Sequence, residues 1–275
     1  ETLGIQASAA TDESQFLRRV YLDTIGTLPT PQETRAYLAD QSPKKRSELI
    51  TRLLQRPEYA QYWAMKWADI LRVDKEIIKP VGTIAMTRWL TEQFASNVPY
   101  DQFVRKIVTA QGNTLSESPA AFYLVHNNPE KLVRSVSQVF LGVRIECAQC
   151  HHHPFEKWSQ SDYAAFGGFF TGITRKGSTA GGTKIFDKGG QDQKHPRTGE
   201  LVPTAGLGGP PLAPEAVTHR RQALADWMTA ADNPFLARMI ANRLWAHYLG
   251  RGLVESVERS VQVSTSGPSR RLPRL

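Results

Sequence analysis

The sequence predicts a mostly α protein: an irregular helical domain, a Gly/Pro-rich connection with little strand, and a closing helical segment. Three observations predict it. Apolar residues recur at three- and four-residue steps through the first half of the chain, the period of an amphipathic helix. Helix start signals, Ser or Thr followed by Pro, stand between those stretches. Glycines then concentrate between Gly172 and Pro214, where no helical period survives.

The elements follow in order. Thr11 is placed to cap a helix whose apolar stripe is Phe16, Leu17, Val20 and Tyr21; Gly26 and Pro29 end it. Thr30-Pro31-Gln32-Glu33 is a complete start signal, with the hydroxyl capping, Pro at the first helical position and Glu reaching back. Ser42-Pro43 repeats that logic before Leu49, Ile50, Leu53 and Leu54. Pro57 opens a helix with Trp63, Trp67, Ile70 and Leu71 on its buried side. Helices are expected over residues 84–94 and 100–110, separated by Asn97-Val98-Pro99. The next, over 129–140, is carried by Leu132, Val133, Val136 and Phe140 and delivers the chain to Cys147. Ser161-Asp162 is expected to cap a short helix ending in Phe166, Phe169 and Phe170, which read as core, although their position just beyond the cysteines also suits a cofactor wall. Short strands are expected near residues 183–186 and Leu201–Val202, and helices resume over 219–230 and 233–249, where Gly250 supplies a stop. The organisation read from this is a helical domain over 10–172, a linker over 173–216, a second helical segment over 217–257, and a disordered tail over 258–275.

Composition bounds the function. Apolar residues make up 40% and charged residues 22% of 275 positions, ordinary for a folded globular chain. The formal charge is +8, but Lys and Arg are interspersed with Asp and Glu, which reads as a solvated surface with no nucleic-acid partner. No apolar run is long enough for a transmembrane segment. Only two cysteines occur, both in one short motif, so a framework of long-range disulfides is excluded.

That motif is Cys147-Ala148-Gln149-Cys150-His151, the C-x-x-C-H spacing of covalent haem attachment. Two thiols three positions apart can add to the two vinyl groups of one porphyrin. The residue that follows then lies beneath the ring, where its imidazole reaches iron, making His151 the expected proximal ligand. Other readings stand beside this one. Zinc could draw on the two thiols and on His151, His152, His153 or a distant histidine. A thiol–disulfide redox pair usually begins a helix after a strand, whereas a helical stretch precedes this one. A strained local disulfide is the third.

Among the other histidines, His152 reads as solvent-facing, and His153, followed by Pro154 and Phe155, as orienting the loop or hydrogen-bonding a haem propionate. His126, His195 and His219 are isolated and read as surface or capping residues. His247 shares a patterned helix with Trp245 and Arg243 and is the distant candidate for a second iron ligand. Met65, Met86, Met228 and Met239 read as core.

Several runs carry a family resemblance. Phe16-Leu17-Arg18-Arg19-Val20-Tyr21-Leu22-Asp23, Ile25-Gly26 and Leu28-Pro29-Thr30-Pro31 come first. Phe140-Leu141-Gly142-Val143-Arg144-Ile145-Glu146 then runs into the motif and on through His153-Pro154-Phe155 to Asp162-Tyr163. These resemble the planctomycete cytochrome-c-like family of otherwise unknown function. Arg220-Arg221, Leu224-Ala225-Asp226-Trp227, Asn233-Pro234-Phe235 and Asn242-Arg243-Leu244-Trp245-Ala246-His247, with Gly250-Arg251-Gly252-Leu253-Val254, resemble the start of that family's companion C-terminal domain.

The resemblance implies an extracytoplasmic bacterial protein, so the expected compartment is the periplasm or its equivalent, with a cleaved leader upstream of Glu1. It names no catalytic residue. The expected cofactor is one covalent haem c, with zinc as the alternative. The expected role is one-electron transfer between protein redox partners. The alternatives are a peroxidase- or oxidase-like haem enzyme with an open iron position, or a zinc-stapled interaction module. Residues 258–275 match nothing in the resemblance, and the companion domain reads as truncated there.

Overall fold

The computed structural model describes residues 11–154, 156–213 and 219–254. The expected tail over 258–275 and Phe155 lie outside the described residues. The chain divides into two compact units, Glu1–Pro99 and Tyr100–Leu275. Among the described residues helix dominates, as the periodicity predicts, and no helix is long and apolar enough to cross a membrane.

Among its described residues the regular elements of the first unit are all helices: α1 (Glu13–Ile25), α2 (Pro31–Ala39), α3 (Lys45–Leu54), α4 (Pro57–Ile70) and α5 (Lys75–Ala95). Leu17, Tyr21 and Ile25 of α1 meet Tyr37, Leu49 and Leu53 in one core cluster. Asp12, not Thr11, caps α1, its carboxylate accepting from the Gln15 N–H at 2.8 Å. Gly26 ends the helix with φ 71°, and a Cβ there would sit 2.3 Å from the Tyr62 ring, so both backbone and packing require glycine. The Thr30–Glu33 capping box forms as expected. Ser42 does not cap α3; its hydroxyl accepts from the Lys44 N–H in a preceding turn, and the helix starts two residues later than the sequence suggests. Leu49 and Leu53 are buried while Ile50 and Leu54 are exposed, so the apolar stripe is narrower than the composition implies. In α5 the helix begins well before residue 84 and breaks at Lys79 (φ 63°, ψ 160°), because Pro80 disfavours helical geometry in the residue before it.

The second unit begins with α6 (Tyr100–Val108), strand β1 (Gly112–Asn113), a 3₁₀ turn at Ser118–Ala121 and the single turn α7 (Phe122–Val125). Then come α8 (Pro129–Val136), a π turn at Ser137–Leu141, a 3₁₀ turn at Glu146–Gln149, and α9 (Gln160–Gly167). The Gly/Pro-rich stretch holds more strand than expected. Beside β3 (Thr183–Asp187) and β5 (Leu201–Val202), near the two expected sites, stand β2 (Ile173–Gly177) and β4 (Gln193–Lys194). β1, β3 and β2 form an antiparallel sheet in that order, and β4 pairs with β5. The signal was weak because β2 is short, rich in charge, and stable only when paired. α10 (Arg220–Thr229) and α11 (Leu236–Leu249) close the unit, with Gly250 at φ 82°.

Two adjacent arginines at the start of α10 hold this unit together, and both are almost fully buried. Arg220 Nη1 donates to the Gly168 carbonyl at 3.3 Å, to Asp192 at 3.0 Å and to the Thr204 hydroxyl. Arg221 donates through Nε to Asp187 at 3.1 Å and through Nη1 to the Ala110 carbonyl at 2.7 Å, with its guanidinium 4.8 Å from the Tyr123 ring centre. Removing one partner of such a pair strands a buried charge, so Arg221→Met should destabilise the chain by about 3–5 kcal/mol in urea unfolding.

Partial burial pushes the Asp192 carboxyl up, but hydrogen bonds from the Thr204 hydroxyl, Arg220 and the Thr204 N–H outweigh it and hold the group below its usual range. Its contribution is therefore present above the unfolded-state value of about 4 and is lost as pH falls through the lower folded-state value. Asp192→Asn should flatten the acid side of a stability-versus-pH curve there while costing stability at neutral pH.

Candidate functional site

The chain reaches its cysteines through a helix made to end abruptly. Asn128 caps α8 by accepting from the Lys131 N–H at 2.8 Å, and Pro129 occupies the first turn. After Val136 the helix widens into the π turn, which buries Phe140 and Leu141 side by side. Gly142, at φ 67°, then turns the chain out, and Val143 and Ile145 bury their side chains again.

The next four residues form the 3₁₀ turn. Side chains three apart eclipse in this geometry, so Ile145 and Ala148 share the buried side while Cys147 and Cys150 share the exposed one. Both cysteines are free thiols. The Cys147 carbonyl accepts from the N–H groups of Cys150 at 3.4 Å and His151 at 3.3 Å, which closes the turn and brings the histidine in behind the thiols.

The two informative histidines hold opposite tautomers. His151 is exposed, and its Nδ1 lies 2.8 Å from the His152 carbonyl oxygen, which can only accept. Nδ1 is therefore the donor, so in the neutral ring it is Nε2 that keeps the lone pair, the arrangement a metal-ligating imidazole requires. His153 is buried and its Nδ1 accepts from the Glu156 N–H at 3.0 Å, so the neutral ring carries its proton on Nε2. It orients the loop, one of the two roles expected of it, together with the bond from its own N–H to the Trp158 carbonyl and the bond from Trp158 Nε1 to Glu156. His152 is exposed, as expected.

Two elements brace the turn from outside the motif. Buried Gln160, at the start of α9, donates through Nε2 to the Cys150 carbonyl at 2.9 Å. Arg134 of α8 forms an ion pair with Glu146. Neither contact was singled out from the sequence, since each joins residues ten or twelve positions apart. The cap of α9 is Ser159, not Ser161: Ser159 and Asp162 form a reciprocal capping box. The Ser-x-x-Asp spacing was legible and points to Ser159. Burial and then Glu130 push the nearby Tyr163 hydroxyl up to about 12 against the pull of Arg134, so it stays protonated.

The remaining candidates lie on other elements. His247 is half-buried in the last turn of α11, its ring 4.8 Å from that of Tyr248, and Trp245 beside it is exposed. His126 is not a surface residue; it is buried, with Nε2 3.1 Å from the Ser135 hydroxyl and its ring against Phe122. His195 caps a turn, accepting from the N–H groups of Arg197 and Thr198, and His219 is exposed. Phe166, Phe169 and Phe170 are core, with the Phe166 ring edge-on to Phe169, Phe170 and Trp227. Met86, Met228 and Met239 are buried, whereas Met65 is exposed. Among the described residues no three His, Cys, Asp or Glu side chains converge into a metal-holding group.

A family model described as PSCyt2, protein of unknown function (DUF1549), matches residues 1–175. A second, described as PSD1, protein of unknown function (DUF1553), matches residues 220–266 and so runs past Val257 into the stretch read from sequence as unmatched. No curated protein and no solved structure matches the chain.

Both thiols should react with a maleimide in the native, cofactor-free protein, because both are exposed and unpaired. Gln160→Met should leave the Cys150 carbonyl without its partner, lowering stability by about 1 kcal/mol and speeding hydrogen exchange across residues 147–151.

Proposed function

The chain belongs to the planctomycete cytochrome-like PSCyt2 family of proteins of unknown function (DUF1549), and on that premise we propose that it is a c-type haem protein that transfers single electrons outside the cytoplasm. One observation carries the reading: a single exposed turn presents two free thiols and a histidine whose Nδ1 is bonded to a backbone carbonyl, which leaves Nε2 as the metal-facing nitrogen.

The residues present fit such a group. Cys147 and Cys150 are the anchoring nucleophiles, held on one side of the turn by the burial of Ile145 and Ala148 on the other. His151 would be the iron ligand, its Nδ1 held as a donor by the His152 carbonyl. Gln160, Arg134 and the His153–Glu156 contact limit how far the turn can move, so the imidazole need not be reorganised on binding. Haem bound there would supply a one-electron centre at a potential set by its axial ligands and exposure. The extracytoplasmic compartment is taken from the family resemblance; there the two adjacent thiols would oxidise to each other unless kept reduced until the cofactor arrives.

Expression in a periplasm equipped for haem attachment should yield coloured protein that keeps its haem on denaturation, with the pyridine spectrum of two saturated vinyl groups. Cys147→Ser with Cys150→Ser should abolish the colour. A colourless product carrying stoichiometric zinc would overturn the assignment in favour of a metal-stapled module.

His247, at the end of α11 with its ring 4.8 Å from that of Tyr248, is kept as the distant candidate for the second iron ligand. His247→Ala is expected to convert a low-spin visible spectrum to high spin, and an unchanged spectrum would remove it from the ligand set. Ready binding of cyanide or carbon monoxide by the wild-type protein would favour the peroxidase- or oxidase-like alternative.

A further inference from the structure

The outer face of the β2–β3 hairpin carries a charge arrangement that the fold does not need. In the register of the pair, Lys176 stands directly opposite Lys184, and Thr174 opposite Phe186. Ile185, between Lys184 and Phe186, is buried on the inner face, so both lysines and Phe186 project outward on the same side. Like charges directly opposite one another destabilise an antiparallel pair. Neither ammonium has an ion-pair partner among the described residues, and a third, Lys188, lies 5.7 Å from the Phe186 ring centre.

An open depression of about 540 Å³ on this face is lined by Lys176, Gly177, Ser178, Thr179, Lys184 and Phe186, none of which is acidic. Its rim is held in place. Ser178 and Gly182 close the turn with a backbone bond of 3.2 Å, and Asn113 of β1 grips it by donating to the Gly181 carbonyl at 2.8 Å. Gly182, at φ 73°, leaves no room for a Cβ, which would lie 2.5 Å from Asn113 Oδ1. The Ser178 hydroxyl oxygen accepts from the Ala180 N–H at 3.3 Å, which leaves its own proton to donate into the cleft.

We infer that this cleft binds an organic oxyanion ester, a sulfate or phosphate group carried on a small ring such as a sugar. The two ammonium groups neutralise the anion and the anion relieves their mutual repulsion. The Ser178 and Thr179 hydroxyls donate to its oxygens, and the Phe186 ring forms an apolar wall for the carrier. An inorganic ion would leave the Phe186 ring beside the ammonium groups unused, which is why an ester is assigned rather than a free ion. The inference rests on the hairpin alone and is independent of the haem reading.

Titrations of the full chain with glucose 6-sulfate, glucose 6-phosphate, inorganic sulfate and inorganic phosphate test it, read by calorimetry at low and high salt. At least one ester should bind at millimolar or lower concentration, more tightly than its inorganic ion and more weakly at high salt. The stronger ester identifies the source. Lys176→Gln and Lys184→Gln should each weaken binding about tenfold. Lys184→Glu separates site from fold: it converts the repulsive pair into an attractive one, so binding should vanish while the melting temperature holds or rises. Equal binding by wild type and Lys184→Glu, or no binding of either ester by the wild type, would overturn the inference.

Discussion

Two neighbouring guanidinium groups, those of Arg220 and Arg221, set the terms for the second unit. A buried arginine has five donors and cannot lose its proton, so the chain must bring acceptors to it. Here they come from the end of α6, from the turn after α9 and from the Gly-rich stretch. That requirement explains the glycines better than flexibility does. A Cβ on Gly168 would lie 2.0 Å from the Thr204 hydroxyl, and one on Gly190 2.8 Å from Arg220 Cδ. At these places the segment lacks side chains because backbone must approach the arginines and their partners closely.

The same clasp fixes the surroundings of the motif at one remove. α9 ends at Gly167, and the Gly168 carbonyl that follows is held by Arg220. The other end of α9 holds the Cys150 carbonyl through Gln160, while α8 reaches Glu146 through Arg134. The 3₁₀ turn is thus suspended between two packed helices with its thiols outermost. Reactive groups on a short loop gain positional definition from rigid elements on either side. The turn itself adds only the eclipsing that puts two cysteines on one side and Ala148 inside.

The β2–β3 hairpin shows how unequal interactions coexist on one element. Its inner side presents Ile185 to the core and Asp187 to Arg221, an ion pair whose side chains are 3% and 14% exposed. Breaking such a pair costs about 3–5 kcal/mol, against about 0.2–1 kcal/mol for a cross-strand surface pair. The inner anchor is large enough to hold the register that sets Lys176 against Lys184, and the outer face is free to carry charge for recognition rather than for folding.

The sequence by itself determined the helical class, most helix positions, the Thr30–Glu33 box, the Gly26 and Gly250 stops, and the motif of two cysteines and a histidine. All of these are local: the deciding contacts join residues within about one helical turn, and spacing encodes them. Local competition also explains the near misses, where Asp12 and Ser159 took the caps assigned to Thr11 and Ser161. Only the tertiary structure decided what depended on residues far apart. It buried His126 against Ser135 and Phe122, paired β2 with β3, brought Gln160 to the Cys150 carbonyl, and gathered five distant partners around Arg220 and Arg221. It also decided the tautomer of His151, because a ring nitrogen takes its proton according to the oxygen that the folded loop places beside it.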